Sequence, residues 1–170
     1  MNSIIRKTLG LKSHRVVSVR KSMSEIEIKI ERIRRRLLTC GQCGQRSRVR
    51  DRLRERRWRH VPLWGIPVTI IYRPARVNCP DCGVKVESIP WAQGKSPLSQ
   101  PLIVVLATWS RLLAWDVVAR LFGVSWSTVR AAVEAAVAYG LANRDIDSVL
   151  FIGIDEISRR RMLEMHQNLL

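Results

Sequence analysis

Three features of the sequence predict an α+β fold assembled in series. Apolar residues alternate with polar ones near the start, two cysteine pairs share one spacing, and the apolar period changes to that of a helix after Pro101. The predicted order is a β-hairpin over residues 1–34, a four-cysteine ribbon with an Arg-rich segment over 35–92, a helical module over 98–145, and a closing strand within 148–170. The chain has 170 residues, of which 46% are hydrophobic, too many for a disordered basic tail. The longest apolar run, Pro101 to Trp109, is about half the ~20 residues that a membrane-spanning helix needs. No stretch near the N-terminus is apolar enough for a signal peptide. Cytoplasm is the expected location, with no membrane partner.

In the first element, Val17 and Val19, then Ile26, Ile28 and Ile30, recur every second residue, as half-buried strands require. Lys21-Ser22-Met23-Ser24 between them reads as the turn. From Val61 to Val77 the pattern is again strand, turn, strand, with Trp64-Gly65-Ile66-Pro67 as punctuation. Residues 90–101 hold three Pro, a Gly and polar groups, and read as a linker.

The cysteines are the sharpest chemical signal. Cys40-Gly41-Gln42-Cys43-Gly44 and Cys79-Pro80-Asp81-Cys82-Gly83 repeat one spacing, with 35 residues between the pairs. Two residues between thiolates let a single turn present both sulfurs to one tetrahedral ion, and the following Gly permits positive φ. Two disulfides or scattered buried thiols are the bland readings. The first lacks a secretory signal, and the second does not explain a repeated spacing. The expected ligand is a structural Zn²⁺ on Cys40, Cys43, Cys79 and Cys82. Four thiolates fill the shell and leave no position for water.

Charge is distributed unevenly. The formal net charge is +16 with a pI of about 11.2, and residues 1–90 carry 22 Lys/Arg against 7 Asp/Glu while the remainder carries 8 against 7. Residues 34–59 contain eleven Arg and no Lys. A surface made basic only for solubility would use Lys as freely, whereas Arg grips phosphate bidentately and stacks on bases. Arg46, Arg48, Arg50, Arg52, Arg54 and Arg56 occupy alternate positions. On an extended chain they would leave one face about 6.6–7 Å apart, close to two phosphate steps of ~3.4 Å each. Arg57 and Arg59 continue the basic run around Trp58, which reads as a core anchor rather than a stacking platform. A solvated loop is the alternative. The partner expected from the field is a nucleic acid.

Residues 115–130 fit a helix-turn-helix. Ala119 is small where helices would cross, Val118 and Phe122 face a core, Gly123 supplies the turn, and Ser125 can cap the next helix. Val129, Ala132 and Val133 continue a buried face. Trp126, Ser127, Thr128 and Arg130 would then lie at the exposed start of a recognition helix. An ordinary helical hairpin is the alternative.

The order of these features resembles the amino-terminal part of bacterial insertion-sequence transposases of the ISL-three family. The resemblance runs over residues 5–160. It rests on His14-Arg15-Val16-Val17, the stretch from Arg56 to Gly65, the stretch from Tyr72 to Gly83, Ile89-Pro90-Trp91-Ala92, the stretch from Val124 to Val129, and the stretch from Gly153 to Ser158. It implies that the closing strand, Val149 to Ile154, begins an RNase H-like domain, with Asp155 as the first of its DDE carboxylates. Such enzymes cage two Mg²⁺ with three acidic groups. After Asp155 only Glu156 and Glu164 remain, and Glu156, its neighbour on a strand, points to the opposite face. The expectation is a C-terminally truncated, catalytically incomplete chain, with Mg²⁺ belonging only to a full-length relative. It would bind double-stranded DNA at the element's terminal inverted repeats, and homo-oligomers are compatible with that role. A stand-alone zinc-ribbon regulator and an RNA-binding module are the rival readings.

Overall fold

The structure, a computed structural model, describes residues 13–33 and 37–144 together with Lys7 and Leu11. Among the described residues, eight strands are followed by three helices. They are β1 (His14–Lys21), β2 (Ile26–Arg32), β3 (Leu37–Thr39), β4 (Arg46–Arg52), β5 (Arg56–Leu63), β6 (Ile66–Tyr72), β7 (Ala75–Cys79) and β8 (Gly83–Val86), then α1 (Gln100–Trp109), α2 (Trp115–Phe122) and α3 (Trp126–Ala142). The predicted α+β class is observed. The closing strand from Val149 to Ile154 lies outside the described residues.

The strands form two four-stranded sheets, ordered β1-β2-β6-β5 and β3-β4-β7-β8. The chain therefore visits the first sheet, crosses to the second, returns and crosses again. The predicted hairpin β1-β2 is present, but it is not a unit by itself. β2 pairs in parallel with β6, Ile26 against Val68 and Ile28 against Ile70. Three isoleucines on one face of β2 need an apolar neighbour, and β6 supplies it. The hairpin expected over 1–34 thus shares its sheet with β5 and β6, strands from within the expected 35–92 ribbon.

The alternation of Ile26, Ile28 and Ile30 holds, and all three are buried. They join Trp58, Val68, Ile70 and Tyr72 in the core of the first sheet. Val17 departs from the reading. A bulge between Val16 and Ser18 inserts one residue, so Val16 and Val19 face Ile30 and Ile28 while Val17 turns outward. The expected linker is also packed. Trp91 is 1% exposed and plugs the first core, Leu98 enters the helical core, and Arg59 exchanges backbone hydrogen bonds with Pro97 and Ser99. Apolar anchors at Trp91 and Leu98 outweigh the Pro and Gly around them.

The two sheets are tied by one buried carboxylate. Glu87, just after β8, accepts from the Tyr72 hydroxyl at 2.7 Å and the Ala75 N–H at 2.8 Å. It also pairs with Arg32 at the end of β2. Burial, with the Glu87 charge beside it, raises the Tyr72 hydroxyl far above its ordinary range.

His14 lies in an aromatic box, edge-on to Tyr72 and Trp91 at 5.2 and 5.1 Å between centroids. Neither ring nitrogen has a partner among the described residues. Burial first, and the Arg32 charge second, hold its pKa at about 4. His60, buried and hydrogen-bonded through Nδ1 to Ser99 at 2.8 Å, is also lowered to about 4 by burial. An unfolded histidine titrates near 6.5, so below that pH the unfolded chain takes up protons that the folded chain refuses. The contribution is whole above pH 6.5 and falls away as pH drops toward 4, up to about 3 kcal/mol for each ring. His14→Phe is therefore expected to stabilise the fold more at pH 5 than at pH 7, read as denaturant midpoints at equal zinc. An equal shift at both pH values would count against the buried neutral ring.

Candidate zinc centre and nucleic-acid interface

Each cysteine pair sits in a tight turn at one end of the second sheet. In the first, Gly44 has φ +79°, its N–H reaches the Cys40 carbonyl at 3.1 Å, and the Cys40 N–H reaches the Gln45 carbonyl at 2.8 Å. Gly41 is required for another reason. A Cβ there would lie 2.6 Å from the Val86 carbonyl oxygen, to which the Gly41 N–H donates at 3.0 Å. The second turn closes β7 onto β8, with Cys79 opposite Gly83 at φ +71°. The Gln45 side-chain amide donates to the Asp81 carboxylate at 2.7 Å and joins the two turns.

Cys40, Cys43, Cys79 and Cys82 bring their four Sγ atoms within 4.8 Å of one another, and Cys43 lies 3.4 Å from Cys79. Tetrahedral zinc with Zn–S near 2.3 Å needs sulfurs about 3.8 Å apart. The cluster fits. The Gln42 N–H points at the Cys40 sulfur at 3.5 Å, the kind of donor that steadies a thiolate. Without a metal, four crowded thiols cannot all ionise. The backbone N–H of Cys82 draws Cys79 down to about 6, and the hydrogen bond with Cys43 pushes Cys82 up to about 12. A divalent cation removes that conflict, and four sulfur ligands leave it no catalytic water.

The arginines are placed less simply than their spacing predicts. They do not make a single six-residue stripe. Arg46 and Arg48 pair with Thr39 and Leu37 and share one face of the second sheet. A bulge between Val49 and Asp51 then shifts the register, so Asp51 opposes Arg76 and Arg52 opposes Ala75. One added residue flips the alternation, which moves Arg52 to the other face. The chain then leaves for the first sheet, where Arg56 is absorbed into the structure. Its guanidinium stacks 4.8 Å over Trp58 and donates to the carbonyls of Lys95 and Ser96 at 3.2 and 3.4 Å. Trp58 is fully buried, as expected of a core anchor.

Arg57 is paired with Glu27 on β2 and with Glu25 just before it. Arg59 reaches the Gly123 carbonyl at 3.4 Å. Arg76 grips the Asp51 carboxylate through Nε at 2.7 Å and through Nη2, and so holds that acid below its usual range. Arg46, Arg48, Arg50, Arg52 and Arg54 are exposed, and none of them forms a salt bridge among the described residues, although the Arg50 charge helps to hold Asp51 ionised.

In the helical part, α2 ends at Gly123 with φ +58° and ψ +42°, and the Gly123 and Val124 N–H groups close the turn on Arg120 and Ala119. Ser125 caps α3 by accepting from the Thr128 N–H at 3.2 Å. Val118, Ala119, Val129 and Ala132 are buried with Leu98, Leu102, Ile103 and Leu106 of the preceding segment, and Phe122 packs against them. Trp126 and Ser127 stand exposed at the start of α3, with Thr128 half-buried behind them. Trp126 stacks at a tilt on Trp115, 5.5 Å between centroids. Arg130 is exposed and pairs with Glu134 one turn on, at 2.7 Å. β5 buttresses this unit, since Val61 packs into the helical core and His60 bonds to Ser99, the cap of α1. Asp155, Glu156 and Glu164 lie outside the described residues. Among the described residues, no helix is long and apolar enough to cross a membrane.

Residues 36–83, which include all four cysteines, match the zinc-finger of transposase IS204/IS1001/IS1096/IS1165. The transposase for insertion sequence element IS1557 of Mycobacterium tuberculosis, in strains CDC 1551 / Oshkosh and ATCC 25618 / H37Rv, is 32% identical over 139 residues, or 78% of this chain and 31% of the relative. The transposase for IS1001 of Bordetella parapertussis is 23% identical over 124 residues, or 72% of this chain and 30% of the relative. The chain thus spans about a third of the length of the curated relatives it matches. No solved structure matches it. The four-cysteine cluster is a structural Zn²⁺ site, and the chain belongs with the insertion-sequence transposases of the ISL3 type, whose zinc ribbon it carries.

Proposed function

We propose that this chain binds duplex DNA, with the ribbon half supplying affinity and the α2–α3 pair acting as a helix-turn-helix that reads the sequence of the element's terminal inverted repeats. The observation that carries the reading is the division of labour in the charge. Five exposed arginines outside any salt bridge among the described residues stand on or beside β4, whereas the start of α3 offers Trp126, Ser127, Thr128 and Arg130 in a nearly neutral module. Phosphates reward the first arrangement, and base edges in a major groove suit the second. The Arg130–Glu134 pair is solvent-exposed and therefore weak, so the guanidinium is free to turn to a base. Inverted repeats offer one site twice in opposite sense, which two copies of the chain would match. Strand cleavage is not assigned to these residues, because a two-metal cage needs three carboxylates from separate elements.

The test separates the two terms. Replacing Arg46, Arg48 and Arg50 by Gln should weaken binding to specific and random duplexes alike. It should also flatten the salt dependence by about one unit of slope for every phosphate left without its guanidinium. Replacing Ser127 or Arg130 by Ala should spare random duplexes and reduce discrimination by roughly 1–3 kcal/mol for each base-edge hydrogen-bonding pair removed. Titrations at several salt concentrations, with an RNA competitor included, measure both. Arginine variants that change sequence preference would reverse the assignment, and stronger competition by RNA would replace it.

A further inference from the structure

The β5–β6 hairpin ends in a feature that neither the zinc site nor the α2–α3 pair uses. Leu63 and Ile66 close the ladder, leaving Trp64 and Gly65 as a two-residue loop. Both have positive φ, +52° and +76°, which defines a type I′ turn whose first position favours Asn or Asp. Trp64 is the one non-glycine residue with positive φ among the described residues, and it is 89% exposed. A bulky aromatic here is doubly costly. Its Cβ crowds the backbone in the left-handed region, and its indole gains nothing from burial.

The surroundings narrow the purpose. From Val61 to Tyr72 the hairpin carries no charged residue, within a half of the chain that is strongly basic. Phosphate binding does not use such a tip. Val61 on the same hairpin packs against the helical core, and Arg59 on β5 reaches the Gly123 carbonyl, in the turn before α3, at 3.4 Å. Three residues of strand, about 10 Å, separate Val61 from Trp64. The tip is therefore anchored, through Val61 and Arg59, to the unit that carries α3.

We propose that Trp64 is an aromatic wedge that enters a base step of duplex DNA beside the groove occupied by α3. Apolar wedges partly unstack a step and kink the helix, and stacking on an indole offsets part of the broken base stacking. The inference rests on the DNA-binding reading and adds to it a point of insertion and a deformation. It also explains the turn chemistry, since the residue is kept for its ring although it suits the backbone poorly.

The test uses Trp64→Asn in the zinc-loaded full chain, because Asn-Gly is the favoured pair for this turn. The expected result has opposite signs: Tm rises by about 2–4 °C, while affinity for a short duplex falls roughly tenfold. Trp64→Phe should keep most of that affinity. Duplexes carrying 2-aminopurine at successive steps should brighten at one step with the wild-type chain and stay dark with Trp64→Asn. Wild-type-like affinity in Trp64→Asn, or dark probes under tight wild-type binding, removes the wedge alone. A wild-type chain that binds no duplex removes the DNA-binding reading and the wedge with it.

Discussion

Stripping the metal with a chelator is expected to melt β3, β4, β7 and β8 while the first sheet and the helices stay assembled. The core of the second sheet consists of Leu38, Cys40, Ala75, Val77 and Cys79, so two of its five buried members are zinc ligands. So small an apolar cluster cannot offset the entropy of ordering four strands, and the metal supplies the difference. Structural zinc in small ribbons contributes on the order of 10 kcal/mol of apparent folding free energy. β5 and β6 lie between the two cysteine pairs in sequence, yet they belong to the other sheet, where Trp58, Trp91 and the isoleucines form a core of their own. Amide hydrogen exchange followed after chelation should show protection abolished over 37–52 and 75–86 and kept over 14–32, 56–72 and 100–142. Uniform loss along the chain would mean that the sheets unfold as one unit.

The second large effect is expected at Glu87. Its side chain is fully buried and Arg32 is 9% exposed, so water screens little of their attraction. Glu87→Ala leaves the Arg32 charge, the Tyr72 hydroxyl and the Ala75 N–H without their acceptor. Removing one member of a buried ion pair costs about 3–5 kcal/mol, because the surviving charge stays desolvated. Glu87→Gln should recover part of the loss, since a neutral amide can still accept from Tyr72 and Ala75. Replacing both partners by apolar residues should cost less than the single change. Denaturant midpoints for the wild type and the three variants test this order. A cost below about 1 kcal/mol for Glu87→Ala would show that the carboxylate does not hold the sheets together.

The cysteine spacing was legible because zinc chemistry is local: two residues and a Gly define each turn, and only the meeting of the turns needs the fold. The isoleucines of β2 and the Gly123 turn were legible for the same reason. What escaped was register. Val17 and Arg50 sit at bulges, and a bulge is decided by the neighbouring strand, which the alternation of one segment cannot reveal. The parallel pairing of β2 with β6 joins residues about forty apart, so the period-two reading found both strands but not their partnership. Trp91 was hidden by the prolines beside it. The contacts of Arg56 with the Lys95 carbonyl and of Arg57 with Glu27 were not legible either, because they join segments that the sequence does not bring together.

The alternate crossing of the chain between its sheets has a consequence in time. Synthesis adds roughly 5–20 residues per second. The second knuckle therefore leaves the ribosome a few seconds after the first, with β5 and β6 emerging in the interval. During those seconds Cys40 and Cys43 hold at most half a coordination shell, and by the time Cys79 is added every strand of the first sheet has been made. Closing a hairpin takes microseconds, so the first sheet has ample opportunity to assemble before the last two thiolates arrive. The metal then locks a second sheet onto a platform already in place.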